Sequence, residues 1–353
     1  MAGIKGKKHI SVHERAKIEA LFESGKSAKE IAEYLQRSPS TIYKELKRGN
    51  YTKLTTHLLE IPAYSADIAQ QDYNYKATAK GSKLKIGSDF AFVEYVESKI
   101  INEKYSPYAA LMKLKSENCK FKTKICFKTL YNYINSNLFI NLTRKNLPRQ
   151  GKNKRKTDVK SVARSKNKLC LSIEDRPKNI NKRSDFGHWE MDTVVGKVKG
   201  KGSVLLVLTE RLTRQEIILK MKNKTANATI QALNRIEREF GVKNFRSIFK
   251  TITVDNGSEF MDCEKMEKSY SNIKTKRTNI YYCHPYSAWE RGSNENTNAL
   301  IRRFIPKGTP IDNYSNAQIS KIEQWINHYP RKILNGKCSE ELFLKYLATI
   351  KKI

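Results

Sequence analysis

Apolar residues between positions 10 and 49 recur at helical spacing, with Ile31, Ala32 and Leu35 in one short run and Ile42 and Leu46 in the next. Ser27 and Glu30 form a capping-box pair at the start of the first run. Ser38 followed by Pro39 supplies an N-cap and an N1 proline for the second. Two short helices with a tight link and one shared apolar side predict a helix-turn-helix in residues 1–50. Its second helix then turns Ser40, Thr41, Tyr43, Lys44 and Lys47 outward, toward DNA. The plainer alternative is an ordinary helical hairpin, and the small Ala32 and the basic outer face favour the DNA-binding reading.

Residues 51–88 are polar and mixed, and are expected to form a linker with one short helix. Residues 89–143 return to helical spacing, and Ser106-Pro107 repeats the cap-plus-proline start. The pattern is looser than the first, so this unit reads equally as a second helix-turn-helix or as a plain packing unit. Residues 144–183 make a basic linker whose core, RKNLPRQGKNKRKTDVKSVARSK, is either a solvated connector or an arm that tracks DNA phosphates. The texture changes near residue 184. His188–Val195, Ser203–Thr209 and Glu216–Lys220 alternate or run apolar as strands do, and Lys197–Gly202 suits a hairpin turn. Thr225–Phe240 then carries Ile230, Leu233, Ile236 and Phe240 at helical spacing, before a short buried strand over Thr251–Val254. Three strands, a helix, a strand and further helices predict an α/β domain over residues 184–353.

Charge sharpens this picture. Lys and Arg number 68 against 35 Asp and Glu, a formal net charge of +33. Such an excess favours a polyanionic partner through counterion release, although an AT-rich genome also enriches Lys. The six cysteines are scattered, with no C-x-x-C pair, which argues against a zinc site and suits a reducing cytosol. The opening residues, MAGIKGKKHISVHERAK, contain no apolar targeting run. The most apolar stretch, Val204–Leu208, is far shorter than the roughly 20 residues a membrane helix needs. A soluble, intracellular protein with no membrane partner is expected.

Three acids stand where an α/β fold places chemistry. Asp192 lies inside the first strand among Trp189, Met191 and Val194, where an unpaired carboxylate is costly. Asp255 ends the fourth strand and is followed by Asn256-Gly257, at the usual ligand edge of such a sheet. Glu295 opens the helix that runs through Leu300, Ile301 and Phe304. Taken singly each is more often structural, and Asp-Asn-Gly often marks a turn. Converging carboxylates repel one another unless a cation offsets them, and oxygen-only ligation favours Mg²⁺ or Mn²⁺. Two such ions about 4 Å apart suit an in-line phosphoryl displacement. Asn298 and Arg302 share the helical face of Glu295, so Asn298 is expected to orient a DNA end base or a ligand, and Arg302 to hold a DNA phosphate or, equally, to stand with Arg303 on a solvated basic face. His284, Trp289, Tyr281, Tyr282 and Tyr286 precede that helix, and the aromatics are read as core or loop anchors or as a stacking surface for an unpaired base. His188 is expected to be structural.

The segments GHWEMDTVVG, TVDNGSEF, YYCHPYSAWERGSNENTNALIRRFIPKGT and INHYPRKIL, with SIEDRP at 172–177, closely resemble the insertion sequence thirty family of bacterial transposases. The resemblance covers nearly the whole chain. It implies a retroviral-integrase-like ribonuclease H fold behind an all-α helix-turn-helix domain, with Asp192, Asp255 and Glu295 as the catalytic, metal-holding residues. The chain departs from the family pattern in three places. Asp255 and Glu295 have 39 residues between them, with the excess assigned to a Lys-rich loop at 264–279. Glu290 stands where Gln is usual and creates a rival acid, and Met191 stands where Gly is usual.

The resulting expectation is a bacterial, cytoplasmic, nucleoid-associated transposase. It would bind the terminal inverted repeats of a mobile element, cut the element ends, and join the freed 3′-OH to target DNA. Pairing two ends implies at least a homodimer in the active complex. Three other classes fit parts of the sequence: a non-catalytic DNA-binding regulator, a nuclease that cuts without joining, and a nucleic-acid-packaging protein.

Overall fold

The helix that presents Tyr43 and Lys44 is held by a buried ion pair rather than by apolar packing alone. A computed structural model describes residues 9–78, 84–87, 89–148, 170–196, 202–271, 274–285 and 287–350, in two units, Met1–Leu84 and Lys85–Ile353. The first unit contains α1 (Val12–Glu23), α2 (Ala28–Tyr34) and α3 (Pro39–Arg48). Ser11, Ser27 and Ser38 cap their amino ends, and the first two are full capping boxes. Ile18, Ile31, Ala32 and Ile42 are buried together, with Leu35 and Leu46 packed at the edge. The buried Arg15 of α1 reaches Glu45 of α3 at 2.6 Å and the Gln70 side chain at 2.6 Å.

Residues 51–78, expected as a linker, are part of this unit. A hairpin of β1 (Asn50–Leu54) and β2 (Glu60–Tyr64) leads into α4 (Ala66–Thr78), whose Ala66 and Ala69 are buried beside Tyr64 in the helical core. Gly49 makes the chain reversal possible. A Cβ there would lie 2.4 Å from the Ser65 carbonyl oxygen and 2.6 Å from the Tyr64 ring. The apolar side of α4 is carried largely by alanines, too weak a signal to separate it from a polar connector by periodicity.

The second unit begins with α5 (Phe90–Ile101), α6 (Pro107–Ser116) and α7 (Phe127–Asn135). It continues with β3 (Leu171–Ser172), β4 (His188–Val195), β5 (Val204–Glu210), β6 (Glu216–Met221), α8 (Ala226–Phe240), α9 (Val242–Ile248), β7 (Thr251–Val254), α10 (Cys263–Glu267), β8 (Asn279–Tyr282), α11 (Gly292–Ile301), α12 (Asn316–Asn327) and α13 (Ser339–Ile350). One sheet runs in the order β3-β8-β7-β4-β5-β6, antiparallel across β4–β5–β6 and parallel across β4–β7–β8–β3.

Strand alternation divides this sheet between two cores. Trp189, Met191, Val204, Leu206 and Leu208 face the cluster that contains Leu233, Ile236, Phe245 and Phe249 of α8, α9 and the turn after α9. Val194, Leu205, Val207 and Ile218 face the other way, against Leu300 and Ile301 of α11 and Ile319, Ile322 and Ile326 of α12. The fully buried Trp189 fixes the register. It stacks on Phe249 with ring centroids 4.5 Å apart and donates its indole N–H to the Ile248 carbonyl at 2.8 Å. A shift of one residue would turn the whole strand over. Trp189 and Met191 inward on one side therefore put Glu190 and Asp192 on the side of α11.

The helices at 89–143 are not a separate body. Phe92, Val96, Ile100, Ala109, Leu130 and Ile134 belong to the same core as α11 and α12. Trp325 donates to the Glu103 carbonyl at 2.9 Å, and Tyr105 stacks on Tyr329 at 5.5 Å. α6 and α7 are joined by ten residues (Glu117–Cys126), against four (Leu35–Ser38) between α2 and α3.

The expected basic linker also ends early. Leu171 and Ser172 pair with Tyr281 and Tyr282, and the buried Arg176 donates to the Thr253 hydroxyl at 2.8 Å. Its most basic stretch, 149–169, lies outside the described residues, as do 197–201 of the expected hairpin turn. Within the Lys-rich 264–279 segment, expected as a loop, α10 runs through Glu267 and β8 begins at Asn279. This arrangement brings Cys170 beside Cys263, and the two are joined by a disulfide across 93 residues of sequence. The spacing of the cysteines gave no sign of that pairing. No helix among the described residues is long and apolar enough to cross a membrane.

Candidate active site

β4 and β7 are neighbouring parallel strands. Asp192 projects from β4, and Asp255 is the first residue past the end of β7. The turn after Asp255 is tied down from both sides. The Gly257 amide donates to Asp255 Oδ1 at 2.9 Å, and the Asn256 side chain donates to the Cys283 carbonyl at 2.8 Å. The Asp-Asn-Gly motif is thus a turn and a carboxylate mount at once. A Cβ on residue 257 would lie 2.6 Å from Glu259 Oε2 and 2.9 Å from Asp255 Oδ1, so any side chain there would displace one of these two carboxylates.

Arg291, immediately before α11, brings the two aspartates to one guanidinium. Its Nη1 lies 3.3 Å from Asp192 Oδ1, and its Nη2 donates to Asp255 Oδ2 at 2.9 Å. Burial alone would lower the arginine's pKa, but the charges of Asp192 and Asp255 outweigh it and raise the value. Asn298 of α11 donates to the second oxygen of Asp192 at 2.9 Å. Its own Oδ1 is buried and has no hydrogen-bond partner.

The third acid stands apart from this pair. Glu295 is solvent-exposed on α11, one turn before Asn298 and on the same face. Among the described residues no three His, Cys, Asp or Glu side chains are grouped closely enough to hold a metal ion. The convergence expected of Asp192, Asp255 and Glu295 is therefore realised for the two aspartates alone. Arg291 supplies the positive charge that two neighbouring carboxylates require. The donor set itself, carboxylate oxygens plus the unpartnered amide oxygen of Asn298, is of the hard-oxygen kind that suits Mg²⁺ or Mn²⁺.

Other candidates are resolved by their partners. The rival acid Glu290 accepts from the His284 amide at 2.9 Å and from His284 Nδ1 at 2.7 Å. His284 Nε2 also meets Glu174 at 2.9 Å, and the hydrogen bonds to Glu290 and Glu174 raise the pKa of the imidazole. His284 thus fastens the SIEDRP segment to the loop after β8. Arg302, expected to hold a phosphate, donates its Nη2 to the Val195 carbonyl at the end of β4 at 2.8 Å. Tyr281 and Tyr282, expected in a loop, are buried in β8. Tyr286 and the side chain of Trp289 lie outside the described residues. His188 is buried and bonded to the Thr251 hydroxyl at 2.8 Å, and burial, with Lys250 nearby, pushes its pKa down to about 4.

Three residues near the site were missed in the sequence. Glu259 is buried, meets the Thr193 hydroxyl at 2.6 Å and Lys224 at 3.1 Å, and leaves Oε2 unpartnered. Arg291 carries no distinguishing signal in sequence. Glu190 did carry one: an acid two residues from Asp192 in an apolar strand has to face the same way. In the first unit, Ser40, Tyr43, Lys44 and Lys47 are exposed on α3, and Thr41 is half-buried with its hydroxyl 2.7 Å from the Ser38 cap.

Two family models match the chain. A helix-turn-helix domain covers residues 7–49, and an integrase core domain covers residues 183–287. The second match includes Asp192 and Asp255 and stops eight residues short of Glu295. Integrase core proteins of this type use divalent metal ions. The chain is 32% identical over 345 residues to a probable transposase for the insertion-like sequence element IS1161 of Streptococcus salivarius, covering 95% of this chain and 94% of that protein. It is 30% identical to the transposase for insertion sequence element IS4351 of Bacteroides fragilis, covering 95% of each. It is 28% identical to the transposase InsI for insertion sequence element IS30C of Escherichia coli, covering 96% of this chain and 84% of that one. The solved catalytic core domain of BIV integrase aligns with 47% of this chain at a TM-score of 0.34 and 16% identity, a likeness too distant to carry a conclusion. A helix-turn-helix ahead of an integrase core, matched along nearly its full length by insertion-sequence transposases, places the chain in the IS30 family of DNA-cutting and DNA-joining transposases.

Proposed function

We propose that Asp192, Asp255 and Glu295 are the catalytic carboxylates of this transposase and that they hold two divalent ions, Mg²⁺ or Mn²⁺. The observation that carries this reading is the meeting of Asp192 and Asp255, from adjacent parallel strands, at one positive charge with Asn298 of α11 alongside. A site that already balances two carboxylates with a guanidinium is built for positive charge. Ions bound there supply Lewis-acid polarisation of the phosphodiester and neutralise charge on the attacking and leaving oxygens.

The chain's own residues do the rest. Asn298 fixes the rotamer of Asp192, and the glycine turn fixes Asp255. Glu295 faces solvent, where the DNA approaches. Water attacks the phosphodiester at the element end, which frees a 3′-OH and leaves a 5′-phosphate on the flanking strand. That 3′-OH then attacks a phosphodiester of the target, forming the new bond as the target's own 3′ oxygen leaves. Neither displacement passes through a covalent enzyme intermediate. α3 selects the terminal inverted repeats through Ser40, Thr41, Tyr43, Lys44 and Lys47, and two protomers hold the paired ends. Such an enzyme works in the bacterial cytoplasm, on nucleoid DNA.

A labelled, pre-cut element end incubated with plasmid target and Mg²⁺ distinguishes joining from hydrolysis. We expect covalent end-to-target products. Cleavage with no joined product under conditions that support binding would reduce the activity to that of a nuclease.

A further inference from the structure

α11 carries both Glu295 and Asn298, yet its N-cap residue, Arg291, makes no side-chain cap. The first amides of a helix need acceptors, and a buried helix start without them is unstable. They are supplied from another element. Glu190 of β4, with no exposed surface, accepts the Ser293 amide at 3.0 Å and the Asn294 amide at 3.4 Å on Oε2. Its Oε1 accepts the Ser293 hydroxyl at 3.2 Å and Arg211 Nη1 at 2.6 Å. A carboxylate at this end also complements the helix dipole.

The placement couples two parts of the site. Glu190 and Asp192 are two residues apart and share one face of β4. The first meets the opening turn of α11, and the second meets Asn298 one turn later. A second buried acid, Glu216 of β6, accepts the Thr297 hydroxyl at 2.5 Å between those two points. Arg214 also donates to the Ser293 hydroxyl. The inner side of α11 is thus pinned by hydrogen bonds to buried carboxyl groups at Ser293, Asn294 and Thr297, which sets the rotation of the helix and therefore the direction of Glu295.

We propose that Glu190 is a positioning residue for cutting and joining: its carboxylate clamps the first turn of α11 to β4, which holds Asn298 against Asp192 and fixes the direction in which Glu295 is presented. This rests on the assignment of Asp192, Asp255 and Glu295 made above.

The test uses the full-length protein. Glu190→Leu alone strands the Arg211 charge in the interior and risks unfolding, so the informative variant is Glu190→Leu with Arg211→Met, which leaves the Ser293 and Asn294 amides without a side-chain acceptor. Arg211→Met alone, with its folding checked by thermal denaturation, is the control, because it removes the ion pair and leaves the carboxylate held by the two amides and the Ser293 hydroxyl. We expect the double variant to fold and to bind element ends as the parent does. Its cutting rate at saturating DNA should fall about 10- to 100-fold, with the half-saturating DNA concentration unchanged. Hydrogen exchange at the Ser293 and Asn294 amides should accelerate about tenfold or more. The control should keep both the amide protection and a cutting rate close to that of the parent. Parental cutting by the double variant, with or without loss of protection, would overturn the proposal. So would an equal loss of cutting in the control with its amides still protected. The exchange readout does not depend on the catalytic assignment, whose own failure would show as cutting retained by variants of Asp192, Asp255 or Glu295.

Discussion

Asp192→Asn, Asp255→Asn and Glu295→Gln are each expected to slow cleavage of element ends by about a thousandfold or more, which corresponds to roughly 4 kcal/mol of transition-state stabilisation. Each change keeps the size and most of the hydrogen-bonding capacity of the side chain and removes its charge. The fold should survive, because the core beneath Asp192 is set by Trp189 and Met191 on the opposite face of the strand, and the Asp255 turn is also held by the Asn256 side chain on the Cys283 carbonyl. Affinity for the element end should stay within about twofold of the parent, since end recognition is assigned to α3 in the other unit. Withdrawing divalent ions from the parent with a chelator should give the same phenotype, binding without cutting. Glu290→Gln is the discriminating control. Glu290 is engaged with His284, so its loss should leave most of the cutting in place, whereas a loss equal to that of Glu295→Gln would exchange their roles.

Replacing Tyr43, Lys44 and Lys47 together by alanine is expected to produce the converse phenotype. The three side chains are exposed on α3, whose inner face is held by Ile42 and by the Glu45–Arg15 ion pair, so the helix itself should remain folded. Base-edge contacts are worth about 1–3 kcal/mol each, and each lysine released from a phosphate lowers the salt dependence by about one. We expect specific binding to element ends to weaken by about two orders of magnitude or more, and the slope of log affinity against log salt to flatten by about two. Fluorescence anisotropy on specific and unrelated duplexes across a salt series measures both. Unchanged end specificity would move recognition off α3.

Local signals revealed much of this molecule. β4, β5 and β6 announce themselves by apolar runs, α8 by its spacing, and α2 and α3 by serine caps that the structure reproduces hydrogen bond by hydrogen bond. The features missed depend on partners distant in sequence. β8 is four residues long beside a Lys-rich segment, and its tyrosines look like loop aromatics until β7 and β3 pair on either side. α4 buries small alanines against helices that precede it. α5 to α7 read as an independent unit because nothing in their own sequence says that they close the core over α11 and α12. At the site, the two aspartates were legible from strand position, but the charge between them was not. Arg291 lies 36 residues from Asp255 and 99 from Asp192, and only the packing of α11 brings it there.

The most direct measurement is anomalous diffraction from crystals of the full-length protein soaked in Mn²⁺. The metal reading predicts a peak at coordination distance, about 2.1 Å, from carboxylate oxygens of both Asp192 and Asp255, with Glu295 drawn toward the same site and Arg291 displaced from between the aspartates. Crystals at saturating Mn²⁺ that show Arg291 still bridging the two aspartates, with no anomalous peak between them, would contradict it.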